Sequence, residues 1–229
     1  MTISLVSLDL AGTTIDEGGI VYDVLRQSVT EAVGAPVPAE VLDGWTGTDK
    51  REAVEGLLTA LGADPAKTAA VHAAFAERLD AAYAAATPRL FPGVREAVAS
   101  LRASGVKVGL HTGYERVVAE RLLEKVEWAV GADVDALATS EDVAASRPAP
   151  YLVFRTMEST ATRSVQEMLV AGDTPNDLRA GIASGARLVV GVLSGASSAE
   201  TLGRHPHTHL LASVAALPEL LAAAGELPR

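Results

Sequence analysis

Two acids stand where apolar runs of strand length stop. Asp9 follows Ser4-Leu5-Val6-Ser7-Leu8 and opens the turn Leu10-Ala11-Gly12-Thr13-Thr14, while Asp173 follows Met168-Leu169-Val170-Ala171-Gly172 and precedes Asp177 by four residues. In an open α/β sheet, that placement presents a carboxylate at the carboxyl edge of a strand. Thr112-Gly113 closes Val108-Gly109-Leu110-His111, offering a hydroxyl and a backbone N–H to an anion. Arg147, in Ser146-Arg147-Pro148-Ala149-Pro150, adds a cation. Carboxylates, a hydroxyl and a guanidinium suit a nucleophile attacking an anionic centre, because two anions approach only when a divalent ion and a cation offset their repulsion. Each residue also has a plainer role. Asp9 could cap a turn and Arg147 could be a surface residue. With Thr174 as N-cap and Pro175 in the first helical position, Asp177 could be an acid of a helix's first turn.

The elements that must hold these groups follow from periodicity. Residues 3–9 read as a strand, 10–17 as its exit loop and Gly18-Gly19 as a hinge. From 20 to 86 the pattern is helical, with Val21, Val24, Leu25, Val29 and Val33, then Val54, Leu57, Leu58 and Leu61, at helical spacing. About four short helices and no strand are expected there. Beyond Thr87-Pro88 strands and helices alternate: strands over 106–112, 136–139, 168–173, 188–193 and 209–211, and helices over 93–104, 115–126, 150–159, 175–184 and 217–224. Such alternation implies a parallel sheet with its site at the carboxyl ends. The expected architecture is an α/β, Rossmann-like core over 1–17 and 87–229, with a small α-helical cap over 18–86 inserted after strand one.

Composition narrows the function. A chain of 229 residues, 48% hydrophobic and without Cys, can bury a full core with no disulfide. A formal charge of −10 with no large Lys/Arg cluster disfavours nucleic acid and anionic lipid as partners. No basic leader precedes the first strand and no apolar run reaches membrane length, so a cytoplasmic protein is expected.

Taken in order, Asp9-Leu10-Ala11-Gly12-Thr13, Thr112, Arg147 and Gly172-Asp173 with Asp177, plus a helical insert after strand one, resemble the haloacid dehalogenase superfamily over essentially the whole chain. The resemblance implies that Asp9 attacks phosphorus to give an aspartyl-phosphate. It implies Mg2+ held by Asp9, the backbone carbonyl of Ala11 and Asp173, with Asp177 holding the ion's waters. Thr112 and the N–H of Gly113 would receive phosphoryl oxygens, Leu10, Ala11, Thr13 and Tyr114 would line the substrate, and Arg147 would neutralise the carboxylates and the transferring group.

In that superfamily an Asp two residues after the nucleophile usually protonates the leaving group. Here the position is Ala11. General acid catalysis contributes about 10²–10⁴-fold, so an ordinary alkoxide would leave poorly. Ala-Gly-Thr in the first motif, an Arg in the third and Thr112-Gly113-Tyr114 resemble the phosphonoacetaldehyde hydrolases of the superfamily, in which a cap lysine condenses with the substrate aldehyde and the imine accepts the electrons of the broken carbon–phosphorus bond. Lys50, in Gly47-Thr48-Asp49-Lys50-Arg51-Glu52, stands at that position. Such an amine needs its pKa lowered toward neutrality, by burial and by Arg51 or Arg147, against Asp49 and Glu52. Its plainer role is a solvated helix residue paired with those acids.

Two departures accompany the resemblance. The Cys after the first motif and the His three residues beyond the lysine correspond here to Gly19 and Ala53. The substrate expected is therefore a small phosphonate or a phosphorylated metabolite with a good leaving group. A phosphatase, with Lys50 only binding substrate, and a non-catalytic phosphometabolite-binding module are the alternatives. A monomer or homodimer is expected. His205, His207 and His209 alternate but Pro206 disturbs a common metal geometry, Trp45 and Trp128 read as packing, Tyr114 as ligand contact or sheet cover, and His111 as pointing away from the site because neighbouring strand residues face opposite sides.

Overall fold

The computed structural model describes residues 2–228. The chain enters β1 (Leu5–Asp9), whose five residues are all buried, and then a two-residue strand β2 (Ile15–Asp16). Four helices follow: α1 (Ile20–Val33), α2 (Ala39–Asp43), α3 (Lys50–Ala60) and α4 (Thr68–Ala85). The chain returns through β3 (Arg89–Leu90) to α5 (Val94–Ala103), β4 (Lys107–His111), α6 (Arg116–Lys125), β5 (Ala136–Ala138) and α7 (Tyr151–Ser159). It ends with β6 (Met168–Gly172), α8 (Pro175–Ser184), β7 (Leu188–Val192), α9 (Ala199–Gly203), β8 (His209–Leu211) and α10 (Leu217–Ala223).

Six strands form one parallel sheet in the order β5-β4-β1-β6-β7-β8. With helices over its faces the sheet is buried on both sides, which is why β1 and β6 are continuous apolar runs rather than alternating ones. β1 lies between β4 and β6, so the carboxyl ends of all three converge. Asp9 is the last residue of β1 and Asp173 the first beyond β6.

The helical insert lies between β2 and β3, where α1 packs on α3 and α4, and α3 packs on α4. Val21, Leu25 and Val29 of α1, Leu57 and Leu58 of α3, and Phe75 and Leu79 of α4 are buried. Two of the four helices are longer than the short ones expected, α1 with 14 residues and α4 with 18. The exit loop also holds a ribbon that periodicity did not show: β2 pairs antiparallel with β3, Ile15 against Leu90 and Asp16 against Arg89. Two-residue strands are too short to show a period, and their partners lie far apart in sequence. The short helix α9, capped by Ser198, escaped for the same reason of length.

Candidate active site

Arg147 organises the centre. One of its terminal nitrogens donates to Asp9 Oδ1 at 2.5 Å and also to Asp177 Oδ1, with all three side chains buried. Asp177 is fixed by a capping box: Thr174 accepts from the Asp177 N–H, while Asp177 Oδ2 accepts from the Thr174 N–H and hydroxyl. Its helical role and its place in the cluster are thus both real. Burial opposes ionisation of Asp177, but the Arg147 charge, His111 and the Thr174 hydrogen bond together outweigh it and hold the carboxyl well below the usual range.

Asp173 faces the other way. Its Oδ1 accepts from the Thr13 hydroxyl at 2.9 Å and its Oδ2 from the Ala196 N–H at 2.7 Å. A Cβ on Gly12, whose φ is +85°, would stand 2.5 Å from Asp173 Oδ2, and one on Gly195 would stand 2.1 Å from it. Glycine at both places lets the backbone close over the carboxylate. A cavity of about 180 Å³ opens beside it, lined by Ala11, Gly12, Glu17, Tyr22, Asp173 and Ser194 among others.

Three buried carboxylates stand against one guanidinium. Burial, partly offset by Arg147 and reinforced by Asp177 and Asp173, pushes the Asp9 carboxyl up to about 7. Burial and the Asp177 charge push Asp173 up to about 6. Surplus buried negative charge with oxygen donors is what a hard divalent cation satisfies, so the donor set fits such an ion.

His111 does not point away from this cluster. It pairs in register with Asp9 across β1 and β4, so the two share a face. Its Nδ1 meets the Ser7 hydroxyl at 3.0 Å and its Nε2 stands 3.8 Å from Asp177 Oδ1. Ligand atoms of Asp9, His111 and Asp177 lie within 4.8 Å of one another, a grouping that could hold a metal. Alternation along one strand says which neighbours oppose each other, but only inter-strand register says which residue of β4 joins Asp9. His205, His207 and His209 form no such group among the described residues.

The remaining expected residues divide between the sheet edge and the buried interior. Thr112 is buried directly after β4, its backbone N–H bonded to Ala138 and its Oγ1 accepting from the Tyr114 N–H. Ala11 lines the cavity. The side chains of Leu10 and Thr13 are fully buried, Leu10 in the apolar core with its carbonyl accepting from the Thr14 and Ile15 N–H groups, and Thr13 against Asp173. Tyr114 is buried with its hydroxyl 2.8 Å from that of Tyr83.

The insert delivers Lys50 to this edge. A Cβ on Gly47 would lie 2.5 Å from Thr174 Oγ1, and Asn176 donates to the Thr46 carbonyl at 2.8 Å, so the loop before α3 rests on the N-terminus of α8. Asp49 caps α3 by accepting from the Glu52 N–H, which places Lys50 in the first turn. The lysine is 6% exposed. Its Nζ donates to the Thr48 carbonyl at 2.6 Å and lies 5.6 Å from the ring centroids of both Tyr22 and Tyr114. Burial, then the Arg147 charge, bring its pKa down to about 8 against Asp49, Asp9 and Glu17. Arg147 is thus the expected cation at work, while Arg51 is exposed. Trp45 lies where a Cβ on Gly56 would be, a packing role. Sequence alone did not single out Glu17, Tyr22 or Tyr83: Lys50 Nζ lies over the Tyr22 ring, the Glu17 charge opposes the lowering of its pKa, and Tyr83 is hydrogen-bonded to Glu17 and Tyr114.

A parallel sheet with acids at the ends of two adjacent strands and a helical insert after the first is an α/β architecture that gathers its reactive groups at the carboxyl edge. The model of the haloacid dehalogenase-like hydrolases matches residues 3–185, and the chain belongs to that family. It is 30% identical over 211 residues to the phosphonoacetaldehyde hydrolase of Bacillus cereus, covering 86% of this chain and 78% of that protein. It is 41% identical over 91 residues to that of Parabacteroides distasonis, where the match spans 40% of this chain and 34% of the relative. A phosphonoacetaldehyde hydrolase-like protein from Oleispira antarctica superposes with a TM-score of 0.83 at 22% identity, over 100% of this chain and 96% of its own. Among the described residues no helix is long and apolar enough to cross a membrane.

Proposed function

We propose that this chain is a phosphonatase-like hydrolase that breaks the carbon–phosphorus bond of phosphonoacetaldehyde or a related aldehyde phosphonate. The observation that carries the reading is Lys50, a buried amine brought down to about 8 and seated beside a carboxylate cluster whose first motif lacks a leaving-group acid at Ala11. The Lys50 amine adds to the substrate aldehyde and water is lost, leaving a protonated imine. Asp9 then attacks phosphorus. The electrons of the carbon–phosphorus bond move into the imine to give an enamine, so no proton from position 11 is needed. Water cleaves the aspartyl-phosphate to phosphate, and protonation and hydrolysis of the enamine return acetaldehyde and free Lys50.

Arg147 holds Asp9 in place and neutralises incoming charge, while Thr112 and the Gly113 N–H receive phosphoryl oxygens. The residues that would hold Mg2+ are Asp9, the Ala11 carbonyl and Asp173, with Asp177 behind them; the guanidinium of Arg147 already fills the space between Asp9 and Asp177, which favours the Asp173 side over the His111 side. Bound there, the ion would offset the repulsion between nucleophile and phosphonate. The domain division proposed with this reading is a core over 1–17 and 87–229 and a cap over 18–86.

A phosphatase reading rests on a separate observation: the Lys50 bond to the Thr48 carbonyl also suits an ammonium that grips an anionic tail. Release of acetaldehyde from phosphonoacetaldehyde with Mg2+ decides between them. Release that requires both Asp9 and Lys50, lost in Asp9→Ala and Lys50→Arg, supports carbon–phosphorus cleavage. Turnover of p-nitrophenyl phosphate that survives Lys50→Ala, with no acetaldehyde formed, supports the phosphatase.

A further inference from the structure

Glu17, Tyr83 and Tyr114 form a continuous buried line of polar hydrogens that the chemistry above does not use. The Tyr83 hydroxyl donates to Glu17 Oε2 at 3.1 Å, and the hydroxyls of Tyr83 and Tyr114 are 2.8 Å apart. Because Tyr83 spends its hydrogen on Glu17, Tyr114 donates to Tyr83. The rings meet edge to face at 87°, and Glu17, Tyr83 and Tyr114 are 7%, 1% and 4% exposed. One end of the line is the Tyr114 ring against which Lys50 Nζ sits; the other is Glu17, which borders the cavity beside Asp173. The three residues come from the hinge after β2, the end of α4 and the turn after β4, so the line exists only when the insert is seated on the sheet.

We propose that Glu17, acting through Tyr83 and Tyr114, is the acid–base reservoir for imine formation and hydrolysis at Lys50. The proposal rests on the imine reading above and supplies what the chain otherwise lacks, since Ala53 and Gly19 carry no titratable group. Lys50 enters as the ammonium: one of its protons passes to the Tyr114 oxygen as hydrogens shift from Tyr114 to Tyr83 and from Tyr83 to Glu17, which frees the amine to add to the aldehyde. The second nitrogen proton moves to the alkoxide to give the carbinolamine hydroxyl, and the reverse shift returns the Glu17 proton to that hydroxyl, which leaves as water. The ammonium and the aldehyde thus become the protonated imine and water with no proton gained or lost overall. Hydrolysis of the product imine runs the same exchange backwards. Glu17 and Tyr83 are positioning residues in this scheme.

The charges and titratable groups around the line suit the assignment. Burial raises Glu17, with Tyr83 and the N–H groups of Val21, Gly19 and Ile20 opposing, while burial raises Tyr83 and Tyr114 far beyond neutral pH. Glu17 is therefore the member that changes protonation. Facing it are Tyr83 from α4, Tyr114 from beyond β4, Tyr22 from α1 and Lys50 from α3, and Asp173 across the cavity.

The test is reductive trapping of phosphonoacetaldehyde on Lys50 with cyanoborohydride, followed by mass spectrometry across pH, for wild type, Glu17→Gln and Tyr83→Phe. The readout is the plateau rate, because removing the Glu17 charge alone moves the Lys50 limb without slowing the plateau. The expected result is a plateau slowed by roughly 10²-fold in both variants, with inorganic phosphate binding retained. Tyr83→Phe keeps the aromatic packing and decides alone if Glu17→Gln does not fold. A wild-type protein that forms no adduct defeats the imine reading and the relay together. Adduct in wild type with the plateau unchanged in the variants overturns the relay and leaves the imine standing.

Discussion

The carbonyl oxygen of Thr48 lies 2.5 Å from the point where a Cβ on Gly113 would stand, and the same oxygen accepts the hydrogen bond of Lys50 Nζ. One backbone atom of the insert thus sets both the seating of its loop on the sheet and the position of the amine. Gly113→Ala must push that loop away. Misplacing a reacting group by about an ångström can cost 10²-fold, and a loss of that order in kcat/KM for phosphonoacetaldehyde is expected, with phosphate binding to the core retained. An unimpaired Gly113→Ala enzyme would show that the loop is not seated this way during turnover.

Arg147 is the cation that lets Asp9 and Asp177 share a buried space. Arg147→Met leaves two buried carboxylates without their partner, which costs roughly 3–5 kcal/mol. At about 2–4 °C per kcal/mol for a chain of this size, calorimetry should show a fall in Tm on the order of 10 °C, together with loss of turnover. A melting temperature within a degree or two of wild type would mean that the acids are protonated or solvated without it.

The sheet and the order of its site motifs were legible because buried parallel strands are apolar runs, and a carboxylate at the end of such a run breaks the pattern visibly. Asp9, Thr112 and Asp173 share that signal, whereas Arg147, in the proline-flanked loop well beyond β5, gained its role through the resemblance. Lys50 was reached by resemblance, since helical periodicity marks it only as a polar residue in the first turn of α3. His111 was misplaced because its side depends on the register of β4 against β1, a non-local quantity. Glu17 and Tyr83 are separated by 66 residues, so nothing local joins them. Their contact is a product of how α4 returns past the hinge.

Stability should depend on pH in two separate windows. Asp9 is raised from 3.8 to about 7 and Asp173 from 3.8 to about 6, so the native state holds their protons more tightly than the unfolded chain. Their contribution is full below about pH 4 and is lost as pH rises through 6 and 7. Asp177 is lowered, so its contribution is present above 3.8 and disappears only in stronger acid. Metal-free protein should therefore lose melting temperature between about pH 4 and 7. Mg2+ should restore it, by an increment that grows with pH and vanishes in Asp173→Asn. A Mg2+ increment that is flat across this range would separate ion binding from these carboxylates.

Lys50 supplies the opposite sign. Its pKa falls from 10.5 to about 8 on folding, so the native state disfavours the ammonium and the amine form appears above about pH 8. Trapping of an aldehyde on Lys50 should rise about tenfold per pH unit below that value and level off above it. Asp49 is the strongest of the charges that oppose the lowering, and it also caps α3 through its side-chain oxygen. Asp49→Asn keeps an oxygen for the Glu52 N–H while removing the charge, so the helix should stay capped. The limb of the trapping profile should then move to lower pH, with more amine present at neutrality. A limb near 10.5 in wild type would show a solvated lysine. A limb near 8 that does not move in Asp49→Asn would leave burial and Arg147 to set the amine without opposition from its own helix cap.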